Sequence, residues 1–512
     1  MKGHCVVVGA GISGLAAAWH LSSEYPQVRI TVVDCTDRIG GKIAAGAIAM
    51  PGQDDHGQDG AGEDGHEEYG PGRYGAGGPL IVDTGAESVL ARRPEALTLI
   101  EQVGLGEELT HPVTSTASIW SRGALRPMPA RTLLGIPSDP GTLLGLLTAE
   151  EVERARHEVI SGYRAPADHG GSPPALGAQG DISIGDLVGH RLGDAVVDRL
   201  VEPLLGGVYA GHARAISAAA ALPAVFDAHL RGESLVQTAA RALPALSVNP
   251  ASAPPVFAGI RGGLHRLPTA VAARLVERGV VFRPGLTVRD VRRRGAGFSL
   301  TCGPMPAPET IEADLVVLAT PPAPTSRILA SIAPDAASHL ANIELASMAI
   351  VTLALPADAV ADLPGSGVLV PPVEELSVKA TTFSANKWAW ATEAGSGRGP
   401  EGRDVGLIRA SVGRHRETAI LQATDADLIP VVLADLRRMG LHVPQPWGWH
   451  VKRWGGALPQ YAPGHRDTVA AIAASVGAVP GLAVCGAAYD GVGVPACIAS
   501  GRSAAERVVA SQ

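Results

Sequence analysis

Residues 5–8, Cys-Val-Val-Val, form an apolar run suited to a buried strand, and the six residues that follow place glycines at Gly9, Gly11 and Gly14. Residues 15–21 continue as an Ala-rich helix, residues 29–33 as a second strand, and Asp34 closes that strand twenty residues beyond Gly14. This is the βαβ fingerprint of a dinucleotide site. The first glycine permits the tight turn, the second lets the backbone approach a diphosphate, the third lets helix and strand pack closely, and the acid reaches a ribose. The helix N-terminus then faces the phosphate charge. The pattern alone does not separate a nicotinamide from a flavin dinucleotide.

A chain of 512 residues exceeds one ordinary core, so two or three domains are expected, and 46% apolar content is ample to fill them. Residues 51–79 hold seven acids against Arg73, which places −6 of the formal −8 charge in that stretch and leaves −2 elsewhere. No basic footprint for nucleic acid results. The same stretch is too rich in Gly, Asp, Glu and His to pack, and it is expected to be disordered. Its histidines, His56 and His66, read as solvated loop rather than ligands. Deleting residues 53–77 is therefore expected to leave folding and turnover nearly unchanged, as a steady-state assay and a melting curve would show. Five cysteines without C-x-x-C spacing fit reduced thiols in the cytoplasm, and no metal site is expected. The N-terminus lacks the basic region of a signal peptide. Residues 468–489 are uncharged over a length that suggests a membrane span, but Pro480-Gly481 breaks them into a helix ending near Gly477, a turn and a short strand. No transmembrane helix is expected.

Along the chain, order resumes after the acidic stretch with a strand at residues 80–83, followed by Thr-Gly-Ala-Glu at 84–87. Residues 92–162 read as mostly helical, 165–180 as a Gly/Pro-rich linker, and 184–209 as a helix pair. Strand-like residues 286–291 and 315–319 rejoin the nucleotide domain. Residues 346–355, 378–383 and 405–412 alternate like antiparallel strands of a separate sheet. The fold class is α/β: a Rossmann-like dinucleotide domain from residues 1–91, 256–322 and 451–512, a helical subdomain at 92–255, and a mixed α+β substrate domain at 323–450.

Two further motifs carry a resemblance. Asp37-Arg38-Ile39-Gly40-Gly41-Lys42 sets paired glycines where the chain can pass beneath a dinucleotide while Arg38 or Lys42 faces its phosphates, and this run resembles the flavin-binding segment of the flavin amine oxidase superfamily. Residues 486–501, Gly-Ala-Ala-Tyr-Asp-Gly-Val-Gly-Val-Pro-Ala-Cys-Ile-Ala-Ser-Gly, resemble the C-terminal flavin motif of the HemY-type protoporphyrinogen and coproporphyrinogen oxidases of haem biosynthesis. The blocks beginning at Leu125, Glu202 and Arg453 are similar to signatures of the same family, in the same order. The acidic insert is longer than the family's hairpin, and Asp490 stands where a glutamate is familiar.

The resemblance implies FAD. It carries the cofactor contacts onto Gly9, Gly11, Gly14 and Asp34, onto Gly41, Lys42, Gly85 and Glu87, onto Val288 and Trp454, and onto Gly493 and Val494. It also implies a porphyrinogen substrate that loses hydride from a meso carbon and a proton from a pyrrole nitrogen. Three two-electron cycles give the porphyrin, with oxygen as acceptor because only one dinucleotide fingerprint is visible. No catalytic acid, base or nucleophile is assigned. Arg92, Arg93 and Lys387 are the candidates for the substrate's propionates. Cys497 reads as buried and unreactive rather than as a covalent flavin ligand. The favoured substrate is coproporphyrinogen III, with protoporphyrinogen IX as the alternative; a flavin amine oxidase, a carotenoid-type desaturase and a non-enzymatic flavin or porphyrin carrier are the more distant readings. The resemblance leaves room for a peripheral membrane contact and for transient contact with other haem-pathway enzymes.

Overall fold

A computed structural model of the chain describes residues 3–51, 78–160, 180–243 and 255–511. The acidic tract at residues 52–77 and the linker at 161–179 lie outside the described residues. At the centre is a parallel sheet whose strands run, across the sheet, Val281–Arg283, Val28–Val33, Gly3–Val8, Leu315–Leu318 and Leu482–Val484. Four of these are near-continuous apolar runs, as a sheet covered on both faces requires. One face packs on the helices Ile12–Glu24, Arg266–Glu277 and Val494–Ala510, the other on a three-stranded sheet and the helices Pro322–Leu329, Pro334–Ala341 and His465–Gly477. The first and last helices cross closely because a Cβ at Gly501 would meet the Ser13 carbonyl at 2.1 Å. Val281–Arg283 is absent from the sequence reading: it is a three-residue edge strand with two exposed side chains.

The second body is a seven-stranded sheet ordered Gly448–Pro459, Leu345–Pro356, Val405–Val412, Val378–Phe383, Gly367–Leu369, Ser118–Ser121 and Ala124–Pro127. Ala349, Val351, Leu353 and Leu355 alternate onto one face and bury against the amphipathic helix Asp425–Arg438. The three expected antiparallel strands stand at its heart. Two expectations fail around it. Residues 92–162 are not mostly helical, because Ser118–Ser121 and Ala124–Pro127 form a hairpin of this sheet. Its two-residue turn has both members at positive φ, Arg122 at 54° and Gly123 at 71°, which suits the twist of paired strands. Gly448–Pro459 belongs here too, paired with Leu345–Pro356, and not with the dinucleotide unit to which residues from 451 were assigned. The Gly455-Gly456 pair concealed its strand character.

A helical body completes the fold. Ile184–Leu192 ends at Gly193, whose φ of 101° suits glycine, and a π-helical turn at Val197–Val201 leads into Glu202–Tyr209. The hairpin Ala45–Ile48 with Leu80–Asp83 lies against Gly448–Pro459, where a Cβ at Gly448 would meet the Ala49 carbonyl at 2.5 Å. Among the described residues no helix is long and apolar enough to cross a membrane.

Candidate functional site

The site lies at the carboxyl ends of the parallel strands, where open α/β sheets take their ligands. The Gly9 amide donates to the Val33 carbonyl at 2.7 Å, and Gly9 holds a φ of 109°. A Cβ at Gly14 would lie 1.9 Å from the Gly9 carbonyl, so that glycine answers to helix–strand packing. Gly11 is different. It caps the helix Ile12–Glu24 with no side-chain acceptor, and a Cβ there would find no neighbour but the Gly41 Cα at 3.9 Å. The room at Gly11 is left for something that the protein does not supply.

The glycine pair closes over this loop. The Gly40 amide donates to the Ala10 carbonyl at 3.0 Å, and Gly40 and Gly41 hold φ of 109° and 58°. Asp34 anchors the other side. Its Oδ2 accepts from the Ala10 amide at 2.6 Å and its Oδ1 from the Thr36 amide and hydroxyl, both at 2.8 Å, so the carboxylate orients the loop while it keeps lone pairs for a ribose. Val288 buries its side chain in the core. Just upstream, the Gly285 and Leu286 amides donate to the Thr36 and Asp34 carbonyls, which brings the backbone of this segment beside Asp34. Gly493 caps the last helix, again without a side-chain acceptor, and Val494 opens it. Lys42 is exposed by its surface area, yet it is lowered from the ordinary lysine value, chiefly by desolvation, with Cys497 acting in the opposite direction. Burial pushes the Cys497 thiol up to about 11, in keeping with an unreactive group.

The floor is built from Thr84 to Glu87. The Trp454 Nε1 donates to the Thr84 carbonyl at 2.8 Å, and a Cβ at Gly85 would meet the Lys42 carbonyl at 1.9 Å, which presses these three segments together. Glu87 binds Lys387 at 2.5 Å through Oε1 and Arg409 through Oε2, while Arg409 also donates to the Gly85 carbonyl at 2.7 Å. Burial alone would raise the Glu87 carboxyl, but the two cations outweigh it and hold the group down at about 2. Lys387 is thus committed to Glu87, with Phe257 and Trp388 also beside its ammonium. Arg92 and Arg93 are exposed, and Arg93 pairs at 2.7 Å with Glu95, which lines an outer groove with Trp19, His20 and Arg502. The structure does not bring these two arginines to Glu87 and Trp454.

A profile of the family described as flavin containing amine oxidoreductase matches residues 12–509. The chain belongs to that family. Its cofactor is FAD. Among relatives of this flavin-containing amine oxidoreductase, the coproporphyrinogen III oxidase of Mycobacterium leprae (strain TN) is 34% identical, covering 99% of this chain and 98% of its own. That of Bacillus subtilis (strain 168) is 28% identical, covering 98% and 97%. A crystal structure from Exiguobacterium sp. 255-15, with the provisional description protoporphyrinogen oxidase, superposes with a TM-score of 0.76 at 28% identity over 100% of both chains.

The cradle fits FAD on its own geometry. Two helix N-termini without side-chain caps, at Gly11 and Gly493, leave amides that could hold the cofactor's anionic and polar groups, and the space at Gly11 would admit a close approach. Arg409 escaped the sequence reading, although its signal is present: an arginine in the otherwise uncharged strand Val405–Val412 requires a counter-ion. Asp83 was missed as well. Its carboxylate accepts from the amides of Leu264 and His265 at 2.9 Å each and pairs with the His265 ring at 2.9 Å, tying the floor to the helix that follows. Among the described residues no cluster suited to a metal occurs.

Proposed function

We propose that this flavoenzyme oxidises coproporphyrinogen III to coproporphyrin III in three two-electron steps. The observation that carries the reading is end-to-end similarity to coproporphyrinogen III oxidases, at 34% identity to that of Mycobacterium leprae and 28% to that of Bacillus subtilis. Bound there, FAD would supply a two-electron acceptor for each hydride the substrate loses, with oxygen as the terminal oxidant and peroxide as its product. The chain's part is placement. The glycine loop and the two helix ends seat the dinucleotide, with Asp34 proposed at its ribose and Gly41, Lys42, Val288, Gly493 and Val494 along its length. Gly85 and Trp454 set the plane of the floor. Glu87, held ionised by two cations, stays charged through the working pH range and takes no proton in turnover. Pyrrole protons leave to solvent.

Protoporphyrinogen IX is the alternative substrate, with two of the four propionates replaced by vinyl groups. Under identical detergent and oxygen, coproporphyrinogen III is expected to show the higher kcat/KM, with protoporphyrinogen IX still turned over. A clear preference for protoporphyrinogen IX would reassign the substrate and leave the flavoenzyme intact. We place the enzyme in the cytoplasm. Five free cysteines and the absence of a spanning helix among the described residues support that placement.

A further inference from the structure

The seven-stranded sheet has one face on the helix Asp425–Arg438; its other face looks toward the flavin cradle. Register identifies what that second face carries. Opposite Met348 stands Trp454; opposite Ile350 stand Lys452 and Ser411; opposite Thr352 stand His450 and Arg409. The residues on either side of Lys452 on this face both touch cofactor-side segments, since Trp454 bonds Thr84 and the His450 ring would meet a Cβ at Gly46 at 2.5 Å. Lys452 therefore projects from the same face, between these two side chains. Its ammonium lies 5.4 Å from the centre of the Trp454 ring, and the side chain is only partly covered.

Arg38 shares the Trp454 ring with it, its guanidinium 5.8 Å from the ring centre, and the other cations of the sheet and floor are paired. Lys387 and Arg409 share Glu87, and Arg453, which points to the opposite face, pairs with Asp425. Lys379 donates to the Gly413 carbonyl at 2.7 Å, and Arg414 is buried against the Val370 carbonyl and Glu417. Lys452 has no carboxylate within 4.0 Å among the described residues. An ammonium beside an aromatic face in a cleft recognises an anion that arrives with a flat ring.

We propose that Lys452 binds a propionate of the substrate and sets the preference for a tetracarboxylate over a dicarboxylate porphyrinogen. The inference rests on the proposed function. In coproporphyrinogen III most meso carbons are flanked by at least one propionate, so a macrocycle lying over the flavin brings a carboxylate within a lysine's reach. In protoporphyrinogen IX both propionates sit at one edge, and the vinyl edge offers Lys452 nothing to pair with.

The test uses the FAD-loaded full chain with Lys452→Met, which keeps the length and removes the charge, and Lys452→Arg, which restores it. Losing a charge-assisted contact of this kind amounts to roughly a tenfold change. KM for coproporphyrinogen III is expected to rise about tenfold in Lys452→Met, and for protoporphyrinogen IX less than about threefold. FAD per chain should be unchanged, Lys452→Arg should recover most of the loss, and binding of the product coproporphyrin III, followed by its fluorescence, should weaken in parallel. KM of the unaltered enzyme for coproporphyrinogen III should rise with salt, and that dependence should flatten in Lys452→Met. Equal effects on both substrates, no effect on either, or loss of FAD would each overturn the assignment. If the unaltered enzyme oxidises no porphyrinogen at all, the proposed function fails and Lys452 falls with it.

Discussion

Gly11→Val is expected to purify folded and colourless. At φ −71° and ψ 171° Gly11 sits in extended backbone open to any residue, so valine introduces no strain there. Nor does the first added carbon strike the protein, since it would find only the Gly41 Cα, at 3.9 Å. What the side chain occupies is the approach to the amides of the first helix, and a diphosphate held off them loses several hydrogen bonds, each of about 1 kcal/mol or more to a charged group. FAD per chain should drop at least about tenfold, with turnover falling in proportion. The melting temperature should match that of the unaltered chain stripped of FAD. Gly14→Ala provides the contrast: its Cβ would sit 1.9 Å from the Gly9 carbonyl, so the βαβ unit itself must shift and the apo melting temperature should fall. Stoichiometric FAD in Gly11→Val would remove the glycine loop from the cofactor site.

That contrast shows which parts of the site were legible in one dimension. A glycine that turns the chain or admits a helix does so through its own backbone, so the local conformation and packing around Gly9, Gly11 and Gly14 could be anticipated from spacing, and those of the Gly40-Gly41 pair from the resemblance. The buried parallel strands were readable for a similar reason, since β-branched runs between turn residues leave few alternatives. Side-chain pairing is another matter. Glu87 meets Lys387 across 300 residues of chain and Arg409 across 322, and nothing near either cation points to its partner. Lys387 was therefore aimed at the substrate, whereas the fold turns it to a carboxylate. The hairpin at Ser118–Ser121 was misread because Arg122-Gly123 is a turn only once both residues take positive φ, and an arginine does not advertise that conformation. Val288 shows a third limit: its side chain is ordinary core, and the backbone that lies beside Asp34 is that of Gly285 and Leu286, which no pattern of side chains reveals.

Glu87→Gln is expected to be the most damaging isosteric change at the floor of the site. It keeps the shape of the side chain and removes the one anion between Lys387 and Arg409, leaving two cations together where side-chain exposures are 13% and 10%. Breaking a buried pair in this way costs about 3–5 kcal/mol, because the stranded charges have no water to turn to. The melting temperature should fall by several degrees. FAD occupancy should fall with it, since Arg409 also holds the Gly85 carbonyl beneath Trp454. The pH dependence carries a definite sign. The Glu87 carboxyl titrates at about 2 in the folded chain against 4.5 ordinarily, so its stabilisation is complete above about 4.5 and is lost as pH falls toward 2. The unaltered chain should lose stability through that window faster than Glu87→Gln, and the two melting curves should converge at the acid end. Adding Lys387→Met to Glu87→Gln returns the cluster to its native net charge and should recover part of the loss, a coupling that a double-mutant cycle reads directly. A double variant no more stable than Glu87→Gln alone would show that packing, and not charge balance, holds this floor in place.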